Sequence, residues 1–355
     1  MREPSTALPS EIESIPDHPA VFLLWASQGK PYLARTALLR RRLKRLISDR
    51  DRVSRLLNLR GVVERIEFWL TGSQIESALI HLELAREHFP EDWPRITRLR
   101  PPCFVRLTLD NPFPRTMVTT RLGRGLYYGP FASRAAAEHF QNGVLDLFQL
   151  RRCEENLAPS PEHPGCMYGE MNRCLRPCQV AVSIDEYRGE ATRVDQFLRT
   201  GGGSLIGVTE VARDRASAEM QFEEAERLHH RLTRIHEVQT SGGELARSIE
   251  RLHGIAITRS AEGESVELRF LLGGAWQEPR QLSVSEAAAA ISMDRRLREI
   301  VATVTPNSAP NLEHLSILMR WHSSSWRDGE WIGFESLEKI PYRKLVNAIG
   351  RVHKR

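Results

Sequence analysis

Four of the chain's five cysteines, Cys153, Cys166, Cys174 and Cys178, fall in one short stretch, separated by twelve, seven and three residues. Such clustering restricts what the segment can become, because thiols gathered so closely either bridge one another or share a metal. Disulfides belong to oxidising compartments and small secreted domains. This chain of 355 residues opens instead on the polar, proline-rich MREPSTALPSEIESIPDHP. Thiolates are soft ligands, suited to zinc or to iron–sulfur clusters. Zinc ribbons present two CxxC-like knuckles, whereas only one close pair occurs here, with a gap of three. The irregular spacing therefore leans toward an iron–sulfur site and leaves zinc open. Cys103, alone in RPPCFVRLTLD, reads as a buried strand residue.

The length gives room for two or three domains with their own cores. Net charge is +5, unevenly spread: ten Lys/Arg stand between Pro31 and Arg60 against Asp49 and Asp51 alone. That excess is the footprint of a polyanion partner. The longest apolar run, Ala20 to Ala26, is too short to span a membrane, so a cytoplasmic location is expected.

In chain order, residues 1–14 read as a loose leader. Ala20 to Ala26 and Pro31 to Ala34 read as strands around a Ser27–Lys30 turn, followed from Thr36 by a helix with Leu39, Leu43, Leu46 and Ile47 on one face. VVERIEFWLT alternates as a strand, and GSQIESALIHLELAREHFP is a helix with Ile75, Leu79 and Leu82 inward, ending near Pro90. Strands follow over 103–109 and 114–122, then a helix from Arg134 capped by Ser133. Ser183 and Glu186 form a capping box for a further helix, and the glycines of Thr200 to Ser204 read as a flexible linker. Val208 to Ile235 has the pattern of two antiparallel helices with an apolar stripe at Met220, Phe222, Ala225, Leu228, Leu232 and Ile235. Two or three strands over 254–284, helices over 285–302 and 311–326, and a tail whose Trp321, Trp326, Trp331 and Tyr342 read either as a nucleic-acid surface or as a core under a basic helix complete an α+β multidomain chain.

Several segments resemble the bacterial UvrC excinuclease family, which includes UvrC and its shorter relative Cho. The first strand pair and basic helix are similar to a GIY-YIG nuclease domain with a small mixed sheet. Ala20, Val21 and Phe22 stand where the family has Gly-Val-Tyr, and Tyr32, Leu33, Ala34 and Arg35 where it has Tyr-Val-Gly-Lys. Arg42 falls on the catalytic arginine and His81, counted back without gaps from Pro90, on the metal-binding glutamate. Tyr127, Tyr128, Gly129, Pro130 and Phe131 resemble the family's Tyr-Phe-Gly-Pro-Phe. Arg173, Cys174, Leu175, Pro177 and Cys178 resemble its Arg-Cys-Leu-x-Pro-Cys, and MQFEEAERLHHRL is similar to the UVR motif. The resemblance implies a GIY-YIG-like domain over 15–95, a cysteine-cluster domain over 100–200, a UVR helical hairpin over 204–240 and a small α/β domain over 245–355. Only Asp294 and Asp328 remain among aspartates after residue 240, too few for the second, RNase H-like nuclease of full-length relatives.

The same resemblance implies that Cys153, Cys166, Cys174 and Cys178 ligate a [4Fe-4S] cluster, with zinc as the alternative. It implies DNA as a partner, met by Arg35, Arg40, Arg41, Lys44 and Arg45. The excinuclease component UvrB is another, met by Met220, Phe222, Ala225 and Leu228. In the family the tyrosines handle the attacking water, the arginine stabilises charge on phosphate and the glutamate holds magnesium or manganese. Here Phe22 cannot move a proton, and the imidazole of His81 is a poor ligand for so hard an ion. Glu76 and Glu83 lie nearby in sequence but on other faces of a helix. Two outcomes follow for nucleotide excision repair: an altered endonuclease incising near lesions through Tyr32 and Arg42, or a catalytically inactive adaptor. His81 separates them.

Overall fold

The computed structural model describes residues 3–47, 59–284, 292–305 and 309–354. Three antiparallel sheets with flanking helices give the α+β class that the sequence predicts.

The first sheet has the order β1 (Ser5–Ala7), β4 (Val63–Leu70), β2 (Ala20–Ala26), β3 (Tyr32–Thr36). The expected loose leader is thus corrected: Ser5 to Ala7 pair with Phe68 to Ile66, and the short 3-10 turn Pro9–Ser14 buries Ile12. Ala7 and Ile12 supply enough apolar surface to anchor it in the cluster of Phe22, Leu24 and Ile66. Helix α1 (Leu39–Ile47) covers this face with Leu39, Leu43 and Leu46. Helix α2 (Gln74–His88) covers the other, packing Ile80 and Leu84 on Val21, Leu23 and Trp69. Its cap is Ser73, whose side chain accepts the Glu76 N–H. The short α3 (Trp93–Thr97) follows.

The second sheet runs β6 (Thr116–Thr119), β5 (Cys103–Leu107), β7 (Leu126–Phe131), β8 (Arg247–Ser248). On it lie α4 (Arg134–Leu147), the short α5 (Met167–Glu170) beside the cysteine loop, and α6 (Ile184–Thr200) with its capping box in place. The expected glycine linker is a tight corner. Gly201 and Gly202 both take positive φ, +59° and +94°, which glycine adopts without a Cβ clash, and α7 (Gly203–Ala218) starts at once. Helix α8 (Phe222–Ser241) returns antiparallel to α7. Ile235 and Val238 of α8 enter the core of the second sheet beside Phe140 and Val144, so the hairpin is rooted in that lobe.

The third sheet has the order β11 (Ala275–Trp276), β10 (Ser265–Leu272), β9 (His253–Arg259), β13 (Gly329–Phe334), with β12 (Arg280–Ser283) also on β10. Ile255, Ile257, Leu268 and Phe270 face α9 (Met293–Ala302) and α11 (Tyr342–Lys354). The start of the helix expected over 285–302 lies outside the described residues. On the opposite face, Ala256 and Leu271 meet α10 (Leu312–His322). Trp321 and Trp331 are buried as expected of core residues, whereas Trp326 is 81% exposed.

Helices α2 and α10 join the first lobe to the third through a common core of Ile75, Leu79 and Leu82 with Leu315, Leu318 and Trp321. Asp328 latches this junction: one oxygen accepts the Gln74 N–H at 2.6 Å and the other the Trp321 Nε1–H at 2.8 Å. Gly72 lies so close to the third lobe that an added Cβ would sit 2.3 Å from the Arg259 carbonyl oxygen. Among the described residues, no helix is long and apolar enough to cross a membrane.

Candidate functional site

Alternation along β3 sends the expected catalytic residues to different faces. Tyr32 packs with the α1 side of the sheet, its ring 6.3 Å from that of Phe22, and the Arg42 Nη2 donates to the Tyr32 hydroxyl at 3.5 Å. Arg35, three residues on, lines a cavity against α2 together with His81. The structure therefore keeps Tyr32 with Arg42 and His81 with Arg35, one pair on each face.

His81 is 8% exposed, and its pKa is pulled down to about 4, first by burial and then by the charge of Arg35. It is neutral at physiological pH. Among the described residues, no carboxylate replaces the glutamate that the resemblance implies. Glu76 is buried at the start of α2, accepting the Gly72 N–H at 2.8 Å. Glu83 turns to a separate cleft beside Arg269 and Glu278, where burial raises its pKa. Asp328 is committed to its two hydrogen bonds, and Asp92, in an adjoining cleft, lies 4.0 Å from Arg95. Among the described residues, no three His, Cys, Asp or Glu side chains form a group able to hold a single metal ion.

The basic face of α1 is partly tied to the N-terminal segment. Lys44 pairs with Glu13 at 2.6 Å, Arg40 donates to the Glu13 carbonyl at 3.2 Å and the Arg41 N–H to Asp17 at 3.0 Å. Arg41, Lys44 and Arg45 remain exposed.

The cysteine loop is set by a buried arginine. Arg151, 1% exposed, donates from Nε to the Phe113 carbonyl at 3.0 Å and from Nη1 to the Glu155 carbonyl at 2.8 Å, with the Cys153 sulfur 3.6 Å away. Its own N–H donates to the Tyr187 hydroxyl at 3.1 Å, which donates on to the Pro114 carbonyl at 2.8 Å. Cys174 and Cys178 are buried, Cys153 half-buried and Cys166 exposed. Burial pushes the Cys174 thiol up to about 11; the Arg176 N–H, 3.4 Å from the sulfur, opposes this, while Cys153, Cys166 and Cys178 add to it. Cys153 and Cys166 thus lie within electrostatic reach of both Cys174 and Cys178. Cys103 is buried in β5.

At the turn of the α7–α8 hairpin, Met220 and Phe222 are 76% and 70% exposed. Ala225 is half-buried, and Leu228 is buried within the hairpin. The expected stripe therefore divides: its first two members face solvent, Leu228 and Leu232 are buried, and Ile235 enters the core of the second sheet. Val208 and Val211 on α7 are exposed as well.

Sequence reasoning misses Thr71, Arg320 and Asp328. Nothing local marks them, since α10 reaches the α2 cavity from the far end of the chain.

Residues 103–199 match the family described as UvrC/Cho excinuclease, middle domain. The chain is 25% identical over 275 residues to the UvrABC system protein C of Dehalococcoides mccartyi, covering 76% of this chain and 45% of the relative. The UvrABC system protein C of Moorella thermoacetica is 26% identical over 75% of this chain and 44% of its own length. That of Caulobacter vibrioides is 24% identical over 74% and 42%. The chain thus spans less than half the length of these curated relatives. No solved structure matches it.

Proposed function

From the premise that this chain is a UvrC/Cho-like protein, we propose that it serves nucleotide excision repair as a DNA-binding adaptor whose GIY-YIG-like domain does not cut. The observation that carries this reading is His81. At the position of the family's metal carboxylate stands a buried, neutral imidazole beside a guanidinium, apart from the Tyr32–Arg42 pair. A cation placed there would meet Arg35 and, among the described residues, no free carboxylate. The exposed cations of α1 supply a surface for the phosphates of a duplex.

Cys153, Cys166, Cys174 and Cys178 hold a [4Fe-4S] cluster in this reading. The four thiols influence one another electrostatically, and thiolates are the ligands such a cluster takes. These four residues, on the loop between α4 and α6, would hold the group there. Arg151, with its Nη1 3.6 Å from the Cys153 sulfur, would steady that ligand, and the Arg176 N–H, 3.4 Å from the Cys174 sulfur, would favour its thiolate. The UVR hairpin docks UvrB through exposed Met220 and Phe222.

The test uses anaerobically purified protein, magnesium or manganese, and a damaged duplex with and without UvrB, beside Tyr32→Phe and Arg42→Ala. Salt-sensitive duplex binding without strand cleavage is expected. Cleavage that both substitutions abolish overturns the adaptor reading. A broad visible absorption band supports the cluster, and a colourless protein with one bound zinc refutes it.

A further inference from the structure

Between α2 and α10 lies a cavity of about 600 Å³, walled on one side by the first lobe and on the other by the third. That volume lies within the roughly 300–1,000 Å³ of small-molecule sites, which favour such junctions. Arg35 enters from β3 and Arg320 from α10, near enough that each cation disfavours the other; burial and then Arg320 lower the Arg35 pKa. Neither guanidinium has a hydrogen-bond or salt-bridge partner among the described residues. The cavity's carboxylate, Asp328, has both oxygens engaged by Gln74 and Trp321. Two like charges brought together by separate lobes, with one occupied carboxylate to offset them, describe a site arranged for an anion.

Two buried polar groups line the same space. Thr71 is 3% exposed and its hydroxyl has no hydrogen-bond partner among the described residues. Such a buried group is destabilising unless a ligand or water satisfies it. His81, also more than nine-tenths buried, has no hydrogen-bond partner among the described residues. Ala78, Leu99 and Ile317 form an apolar patch in the wall, beside the polar Ser77, Thr97 and Ser324. A bare inorganic anion would leave that patch uncovered.

We propose that this cavity binds a phosphate monoester carrying a ring-bearing group, the chemistry of a nucleoside monophosphate. Arg35 and Arg320 hold the phosphate, Thr71 and His81 donate hydrogen bonds to it, and the apolar patch receives the remainder. Such a phosphate arrives on a free nucleotide or on the end of a DNA strand. The site shares Arg35 and His81 with the GIY-YIG-like domain, but Tyr32 and Arg42 take no part in it, so its occupancy is read separately from strand cleavage.

The experiment is calorimetric titration of the full chain with inorganic phosphate, thymidine 5′-monophosphate, and a single-stranded 12-mer with and without a 5′-phosphate. One saturable site per chain for the monophosphate is expected, with inorganic phosphate weaker. Arg320→Ala weakens it at least tenfold and Thr71→Val several-fold. Arg320 is exposed and unpaired among the described residues, so its variant keeps the parent's thermal midpoint. A monophosphate that binds as tightly as the phosphorylated 12-mer identifies the free nucleotide as the source. Tighter binding of the 12-mer that vanishes without its 5′-phosphate identifies the strand end. Saturable binding that Arg320→Ala leaves unchanged overturns the proposal, as does the absence of binding by all four probes. Duplex binding and cleavage are measured separately, so loss of the repair reading leaves this result standing.

Discussion

His81 and His314 are both neutral because protein surrounds them, and both have pKa values near 4. For His314, burial acts first and the charge of Arg86 second, and its Nδ1 must stay unprotonated to accept the Trp276 N–H at 3.0 Å. In each case the folded value lies below the unfolded one of about 6.5, so the unfolded chain binds the extra proton. Stability is then fully present above pH 6.5 and is lost as pH falls toward 4. At about 1.4 kcal/mol per unit, His81 accounts for a few kcal/mol of that loss. His81→Gln is expected to flatten this part of the profile, as read from urea midpoints between about pH 7 and pH 4.5. Elsewhere, Tyr187→Phe strands a buried carbonyl of Pro114 and the N–H of Arg151, and an equilibrium unfolding loss of about 1–3 kcal/mol is expected. At this scale the cysteine positions are legible directly, and His81 follows from counting along one helix. Arg320 is not legible, because its meaning depends on meeting a cation from a distant strand.

Among the elements, the hairpin is the one whose exposed and buried parts make separable predictions. Phe222→Asp and Met220→Asp alter residues in solvent, so on the proposed docking UvrB capture in a pull-down or titration is expected to fall at least tenfold with the thermal midpoint within about 2 °C. Gly143→Val acts at the root instead. Even a Cβ there meets the Val238 side chain at 2.9 Å, and overpacking α4 against α8 is expected to cost about 1–3 kcal/mol in unfolding free energy. Helical periodicity makes α6 and α8 legible, because one apolar face per helix is a strong local signal, whereas α2 buries two faces. The glycines at 201 and 202 mislead, since composition alone does not distinguish a hinge from a corner. Strand β8, only two residues long, has no periodicity to detect, yet it closes the second sheet.

For the whole molecule, the decisive contacts join the two ends of the chain. Gly72→Val would drive a side chain into the Arg259–Ala261 backbone and is expected to part the first lobe from the third, seen as faster limited proteolysis at that junction. The bond from Gln74 to Asp328 spans 254 residues. That separation has a consequence for biosynthesis. On a ribosome adding about 5–20 residues per second, α2 leaves the exit tunnel tens of seconds before α10 exists to cover Ile75, Leu79 and Leu82. The nascent N-terminal third therefore carries a greasy, half-finished surface through most of its synthesis, and chains truncated before residue 312 are expected to recruit chaperones or aggregate where the complete chain stays dispersed.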